Sequence, residues 1–302
     1  MGNPFFLSYL QHFIDGSFNM KKINLILFVA LFFSSCEKVI DISSVTLQNR
    51  LVVNALINDQ DNISISVSSS TTIQDSVKPA PIKDAVVVVK DKNGVTTNCV
   101  FSLLTDKYEC GIVPKVGDYF SVTVTAKGFS PAFAEMVIPS KSNNGKSTWK
   151  DSTSFDSSGF PNGTLVIKLN DKGNEKNYYR ISLFYYQVSL AEWRVLQPIL
   201  DDAELRNQAL KTQDGGIIFK DATFNGKTRN ISFTTPFGYS FQSPKFLAVV
   251  ENLSEQYYNY FKSLDDYKNN RGVFNEPVPV FSNIKNGVGI FAGSSIQRDT
   301  IQ

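Results

Sequence analysis

Histidine is almost missing from this sequence. His12 is the single one in 302 residues, and it lies ahead of a segment expected to be cut away. Acid–base catalysis and metal ligation through imidazole are therefore excluded for the processed protein. A catalytic serine would have to rely on a lysine or a carboxylate, and no G-x-S-x-G elbow is present. The "GKS" at 145–147 does not complete a phosphate loop, because Ser140 stands where that motif needs glycine. Cysteine is scarce, with three residues, and two of them alone cannot close a zinc site. No basic block occurs either. Removing residues 1–35 takes Lys21, Lys22 and Asp15 from the 30 basic and 28 acidic residues, which leaves 28 against 27. A balance that close to zero excludes nucleic acid as a partner, and no cofactor or metal is expected.

Long apolar runs are also absent, and the one short run is informative. Ile23–Phe33 follows Met20, Lys21 and Lys22, and Ser34 and Ser35 lead into Cys36. That is the order of a secretory signal peptide, and its apolar part falls well short of the ~20 residues a membrane-spanning helix needs. The small residues before Cys36 are similar to the lipobox of bacterial lipoproteins, in which the cysteine becomes residue one and is acylated. Several acyl chains would make a stable anchor where one would not. We therefore expect an upstream extension at 1–19, a lipoprotein signal peptide at 20–35, a lipid anchor on Cys36 and a tether at 36–49. The expected location is the outer membrane, on its periplasmic or its cell-surface side.

Beyond the tether, apolar and polar residues alternate in short runs, which predicts a mainly β protein of two domains. "NISISVS" places Ile63, Ile65 and Val67 on one face, and "YFSVTVTA" does the same with Phe120, Val122 and Val124. Asn93-Gly94 predicts a two-residue hairpin turn, since both residue types tolerate positive φ. Strands at this spacing predict an immunoglobulin-like β-sandwich over 50–139. Within it, strands paired so that Phe101 faces Tyr108 would set Cys99 opposite Cys110. A disulfide is then available in an oxidising compartment, and two free thiols are the alternative. The polar stretch 140–162 reads as a linker. A second β-rich domain with two short helices is expected over 163–302, one helix capped by Asp201 with Glu204 in a capping box, the other starting at Ser254.

Candidates for chemistry are few. Asp201, Asp202, Glu204, Asp265 and Asp266 could serve a carboxylate hydrolase, but caps and solvated helix faces explain them equally well. "NDQDNIS", 58–64, gathers oxygen ligands without the glycine that a calcium loop needs, so a plain turn is expected. The strand "NYYRISLFYYQ" carries rings on both faces. Either both faces are covered, or Tyr178, Tyr185 and Tyr186 include exposed contact residues for a ligand or partner.

Several segments carry a resemblance to a known family: "CEKVIDI", "RLVVNALI", "FKDATFNGK" and above all "YYNYFKSLDDYKNNRGVFNEPVPVFSNIKNGVGIFAGSS". Over Cys36 to Ser295 the chain resembles Bacteroidota lipoproteins of the domain of unknown function 4249 family, whose pattern includes Pro277, Pro279, Asn283, Gly287, Gly289 and Gly293. The resemblance carries over no catalytic residue. It implies a non-enzymatic accessory or ligand-capture role beside a TonB-dependent outer-membrane receptor in nutrient uptake. A structural or adhesive cell-surface protein is the alternative.

Overall fold

Alternation sets the first half of the structure, a computed structural model that describes residues 49–71, 79–236, 245–270 and 278–301. The expected extension, signal peptide and Cys36, nearly all of the tether, and Pro277 lie outside the described residues. Strand β1 (Leu51–Asn58) buries Leu51, Val53, Ala55 and Ile57, every second residue. β2 (Ser64–Ser69), β3 (Val86–Asp91), β4 (Thr96–Ser102), β5 (Lys107–Glu109), β6 (Tyr119–Thr125) and β7 (Ala132–Val137) contribute their own inward residues to the same core. Tyr108, the buried tyrosine of this core, is satisfied by its neighbours: its hydroxyl donates to the Ile82 carbonyl at 2.7 Å and accepts from the Ala85 N–H at 2.9 Å. Phe101 faces Tyr108 across β4 and β5, and Cys99 and Cys110 are joined by a disulfide just beyond that pair.

The hairpin between β3 and β4 departs from the expected two-residue turn. Of Asn93 and Gly94 only Gly94 takes positive φ, at 84°. The Asp91 carboxylate accepts from the N–H groups of both Asn93 and Val95 at 2.9 Å, so a side chain holds a longer loop.

The second half adds β8 (Thr148–Phe155), β9 (Pro161–Asn170), β10 (Tyr178–Gln187), β11 (Glu192–Leu196), β12 (Ile199–Leu200), helix α1 (Ala203–Arg206), β13 (Leu210–Lys211), β14 (Ile217–Lys220), β15 (Thr228–Pro236), β16 (Phe246–Leu253), helix α2 (Glu255–Asn269) and β17 (Gly287–Ile301). The protein is thus mainly β. One large mixed sheet runs β13-β14-β10-β16-β17-β1-β2-β5-β4-β3-β6-β7, with β11 also paired to β10, and a small antiparallel sheet runs β12-β15-β9-β8. The small sheet covers one face of β10, β14 and β16, and between them lies a second core that includes Leu165, Ile167, Phe233, Ile181 and Ala248.

β17 joins the two cores. Its first residues pair in parallel with all of β1, and from Ser294 onward it pairs antiparallel with β16. The backbones approach closely there. At Gly289, whose φ is 118°, a Cβ would overlap the Val53 carbonyl of β1, and at Gly293 it would come within 2.7 Å of the Val137 carbonyl of β7.

Two expectations meet a different arrangement. Residues 140–162, polar enough to read as a linker, carry β8 and are tied to neighbouring strands. The Ser142 N–H and hydroxyl both donate to Asn252, and the Ser147 N–H donates to Asp299 at 2.6 Å. Trp149 of β8 packs at a ring distance of 4.6 Å from Phe246 and lies over Gly163, where no side chain would fit. The backbone of β8 pairs with β9, while its side chains other than Trp149 stay exposed to solvent. In α1 the cap is Asp202 rather than Asp201: its carboxylate accepts from the Leu205 N–H at 3.1 Å. The helix has only four residues, Glu204 reaches Arg229 (2.9 Å) rather than the cap, and the chain then leaves for β13. Helix α2 begins at Ser254 as expected, its hydroxyl accepting from the Tyr257 N–H. Among the described residues no helix is long and apolar enough to cross a membrane.

Candidate functional site

β10 is the strand from which the site is built, because its two faces meet different surroundings. Tyr179, Ile181 and Leu183 point into the second core, while Tyr178, Arg180, Ser182, Phe184 and Tyr186 occupy the opposite, outer face. Helix α2 covers only the first part of that outer face. Tyr178 stacks on Tyr258 at 4.7 Å and its hydroxyl donates to Glu255 at 3.2 Å, so burial and the Glu255 charge push the phenol up to about 12.

At the helix margin sits a buried ion pair. Arg180 and Glu251 stand opposite each other on β10 and β16, with guanidinium and carboxylate 3.1 Å apart and side chains 14% and 10% exposed. Arg180 also donates to the Tyr257 hydroxyl (3.3 Å) and pairs with Asp214 at the tip of the β13–β14 hairpin. The Ser294 hydroxyl donates to the other Glu251 oxygen at 3.2 Å. Burial nonetheless holds the Glu251 carboxyl above the usual range, against the pull of Arg180 and Ser294. Gly216 makes room for this network: a Cβ there would come 2.5 Å from Arg180 Nε and 3.1 Å from Ser182 Oγ, two buried atoms without partners among the described residues.

Past Ser182 no helix among the described residues covers the sheet. Register places Phe184 beside Val195 and Leu247, and Tyr186 beside Trp193, all on the outer face. Tyr186 and Trp193 meet edge to face at 5.3 Å, and Lys245 lies 5.8 Å above the Tyr186 ring. Trp193 is 37% exposed and Val195 45%, and the turn beyond them exposes Val188 and Leu190 as well. This is a continuous apolar, aromatic surface on a rigid sheet, the kind of patch that marks an interaction site.

The three tyrosines singled out from the sequence are not brought together. Tyr178 is under α2, Tyr185 packs against the second core on the inner face, and Tyr186 alone is on the open surface. The five candidate acids are dispersed as well: Asp202 and Glu204 hold Arg229, Asp201 accepts from the Thr234 hydroxyl, Asp265 accepts from Asn269, and Asp266 pairs with Lys262. In 58–64 the Asn58 side chain caps its own turn by accepting from the N–H groups of Gln60 and Asp61. Among the described residues no three ligating side chains gather as a metal site. Sequence reasoning passed over Arg180 and Trp193. Arg180 carried a usable signal, since a lone charge inside an aromatic strand needs a buried partner. Trp193 carried none, because β11 is short and mostly exposed.

A family model described as a domain of unknown function (DUF4249) matches residues 37–300. No curated protein matches the chain. Among solved structures, the crystal structure of a DUF4785 family protein from Legionella pneumophila subsp. pneumophila str. Philadelphia 1 is similar at 8% identity, covering 67% of this chain and 52% of that one. This chain thus spans about half the length of that protein, and at a TM-score of 0.24 the likeness bears on neither function nor site.

Proposed function

The chain belongs to the DUF4249 family, and from that premise we propose that it is a non-enzymatic, lipid-anchored outer-membrane protein that docks a TonB-dependent receptor and helps it take up a nutrient. The observation that carries this reading is the outer face of β10, β11 and β16, which no helix among the described residues covers and where Phe184, Tyr186, Trp193 and Val195 form an apolar surface beside Lys245. Aromatic anchors on rigid strands bind a protein partner at low entropic cost. The order of charges, apolar run, small residues and cysteine at 20–36 supports an anchor that would hold this face near the membrane. In this reading residues 50–139 act as an immunoglobulin-like spacer, and Tyr186 rather than Tyr178 or Tyr185 makes the contact.

The experiment is co-purification. Tagged protein extracted from outer membranes should bring down a β-barrel receptor in stoichiometric amount, and Trp193→Ala with Tyr186→Ala should lose it while the fold persists by circular dichroism. Recovery of the protein alone from intact membranes would end the receptor reading. Cys36→Ala should release the chain from the membrane fraction, and unchanged fractionation would remove the anchor. The same face suits a structural or adhesive surface protein, for which loss of cell–cell adhesion in the double variant, without loss of uptake, is the distinguishing result.

A further inference from the structure

A cleft of about 410 Å³ lies between β12, α1 and the β13–β14 hairpin, and it adjoins the proposed docking face at Gly215, where a Cβ would come 2.7 Å from Val195. Its size is that of a small-molecule site. Pro198, Ile199, Leu200 and Ile217 give it apolar walls, and Leu200 and Ile217 are continuous with the second core. Two cations, Arg206 and Lys211, line it, and among the described residues no carboxylate does.

Acids do stand nearby, but each is already committed. Asp202 accepts from Arg229 at 2.6 and 2.8 Å and from the Leu205 N–H, and Glu204 accepts from the same guanidinium at 2.9 Å. Asp214 is held by Arg180 and by the Thr212 hydroxyl. Asp201 accepts from the Thr234 hydroxyl at 2.9 and 3.0 Å. Arg206 is fixed differently: its Nε donates to the Leu200 carbonyl at 2.7 Å and its Nη2 to the Asp201 carbonyl at 3.1 Å. Neutral acceptors hold the guanidinium in place without cancelling its charge, and Nη1 has no partner among the described residues. Lys211 forms no ion pair among them either.

We infer that this cleft binds a small ligand with an apolar body and an anionic oxygen head, a carboxylate or a phosphate. The apolar walls take the body, and the positioned Arg206 with Lys211 takes the head. A charge-assisted bond to a fixed guanidinium is worth roughly twice a neutral one, so a ligand without the charge loses most of the orientation. This goes beyond the docking reading and does not depend on it.

The test is calorimetric titration of the full chain, in a non-ionic detergent, with 4-phenylbutyrate and with hexyl phosphate. The neutral analogues 4-phenylbutanamide and hexanol serve as controls. At least one anion should bind, with its neutral analogue at least about tenfold weaker, a difference of ~1.4 kcal/mol. Whichever anion binds more tightly identifies the head. Lys211→Gln should weaken the tighter anion about three- to tenfold, and Arg206→Gln with Lys211→Gln should abolish its binding. Lys211 is exposed and makes no bond that the fold needs, so an unchanged unfolding midpoint in Lys211→Gln keeps the test separate from stability. Equal binding of anion and neutral analogue, full binding by the double variant, or no heat from either anion up to about 10 mM would overturn the inference. Trp193→Ala should leave the titration unchanged, and Lys211→Gln should leave receptor co-purification unchanged, so the two readings fail separately.

Discussion

Between residues 49 and 139 the described residues bury few polar side chains, Ser121 and the Asp59 carboxylate that Lys141 pairs, whereas beyond residue 140 the interior holds Asn177, Asp221, Glu251, Asn252 and several serines. The first core is built by transferring apolar surface from water, which is non-directional and asks only that every second residue be apolar. Its one covalent device is a disulfide. The second half buries charges, on the sheet face away from its core, that are stabilising only while every partner is in place. That difference teaches where shape is specified: the first half supplies a stable sheet, and the second half spends stability on fixing the β13–β14 hairpin, α2 and the open aromatic face relative to one another.

The join between the halves should be the most sensitive point. Gly289→Val would drive a side chain into the β1 backbone and force a positive φ on a branched residue. Overpacking of ~1–3 kcal/mol and backbone strain of about the same size should together cost up to ~6 kcal/mol, lost from both cores together in chemical denaturation. Next comes Arg180→Ala, which strands Glu251 and should cost about 3–5 kcal/mol. The replacement of both partners, Arg180→Met with Glu251→Leu, should restore most of that loss. If the single and double variants unfold alike, the second half is no more directional than the first. Removing the disulfide with Cys99→Ser and Cys110→Ser should cost about 2–3 kcal/mol, given the short loop it closes. Hydrogen exchange should locate this loss in β2, β4 and β5 and leave β10 and β16 unchanged.

The smallest effect is a slope with pH. Glu251 titrates higher in the folded protein than in the unfolded chain, because burial outweighs Arg180 and Ser294. The native state therefore holds more protons over the window from the ordinary glutamate value of about 4.3 up to the raised one, and stability attributable to this group falls as pH rises through it. Glu251→Gln should flatten the slope in that window. An unchanged slope would assign it to Asp221, which burial also raises despite the Asn177 N–H.

The same contrast explains what was legible in the sequence. β2 and β6 could be read from alternation, and the Phe101–Tyr108 register with the Cys99–Cys110 pair followed from counting along two strands. The α1 cap, the strand in 140–162 and the Arg180–Glu251 pair could not be read this way. Each depends on a partner far away in the chain: Arg229 for Glu204, Asn252 and Asp299 for Ser142 and Ser147, and a facing strand 71 residues away for Arg180. Local pattern carries no information about such pairings. The open face was half legible. The crowded rings of β10 announced a surface, but only the register of β11 and the reach of α2 decide that Tyr186 is on it and Tyr178 is not.

The dual allegiance of β17 has a consequence for biogenesis. Translation delivers β1 more than two hundred residues before the strand that flanks it, so the nascent chain must travel with one bare edge. A secreted polypeptide kept extended until export is complete would escape the sticking that such an edge invites. Premature termination upstream of Gly287 should therefore leave an aggregation-prone product rather than a smaller working protein.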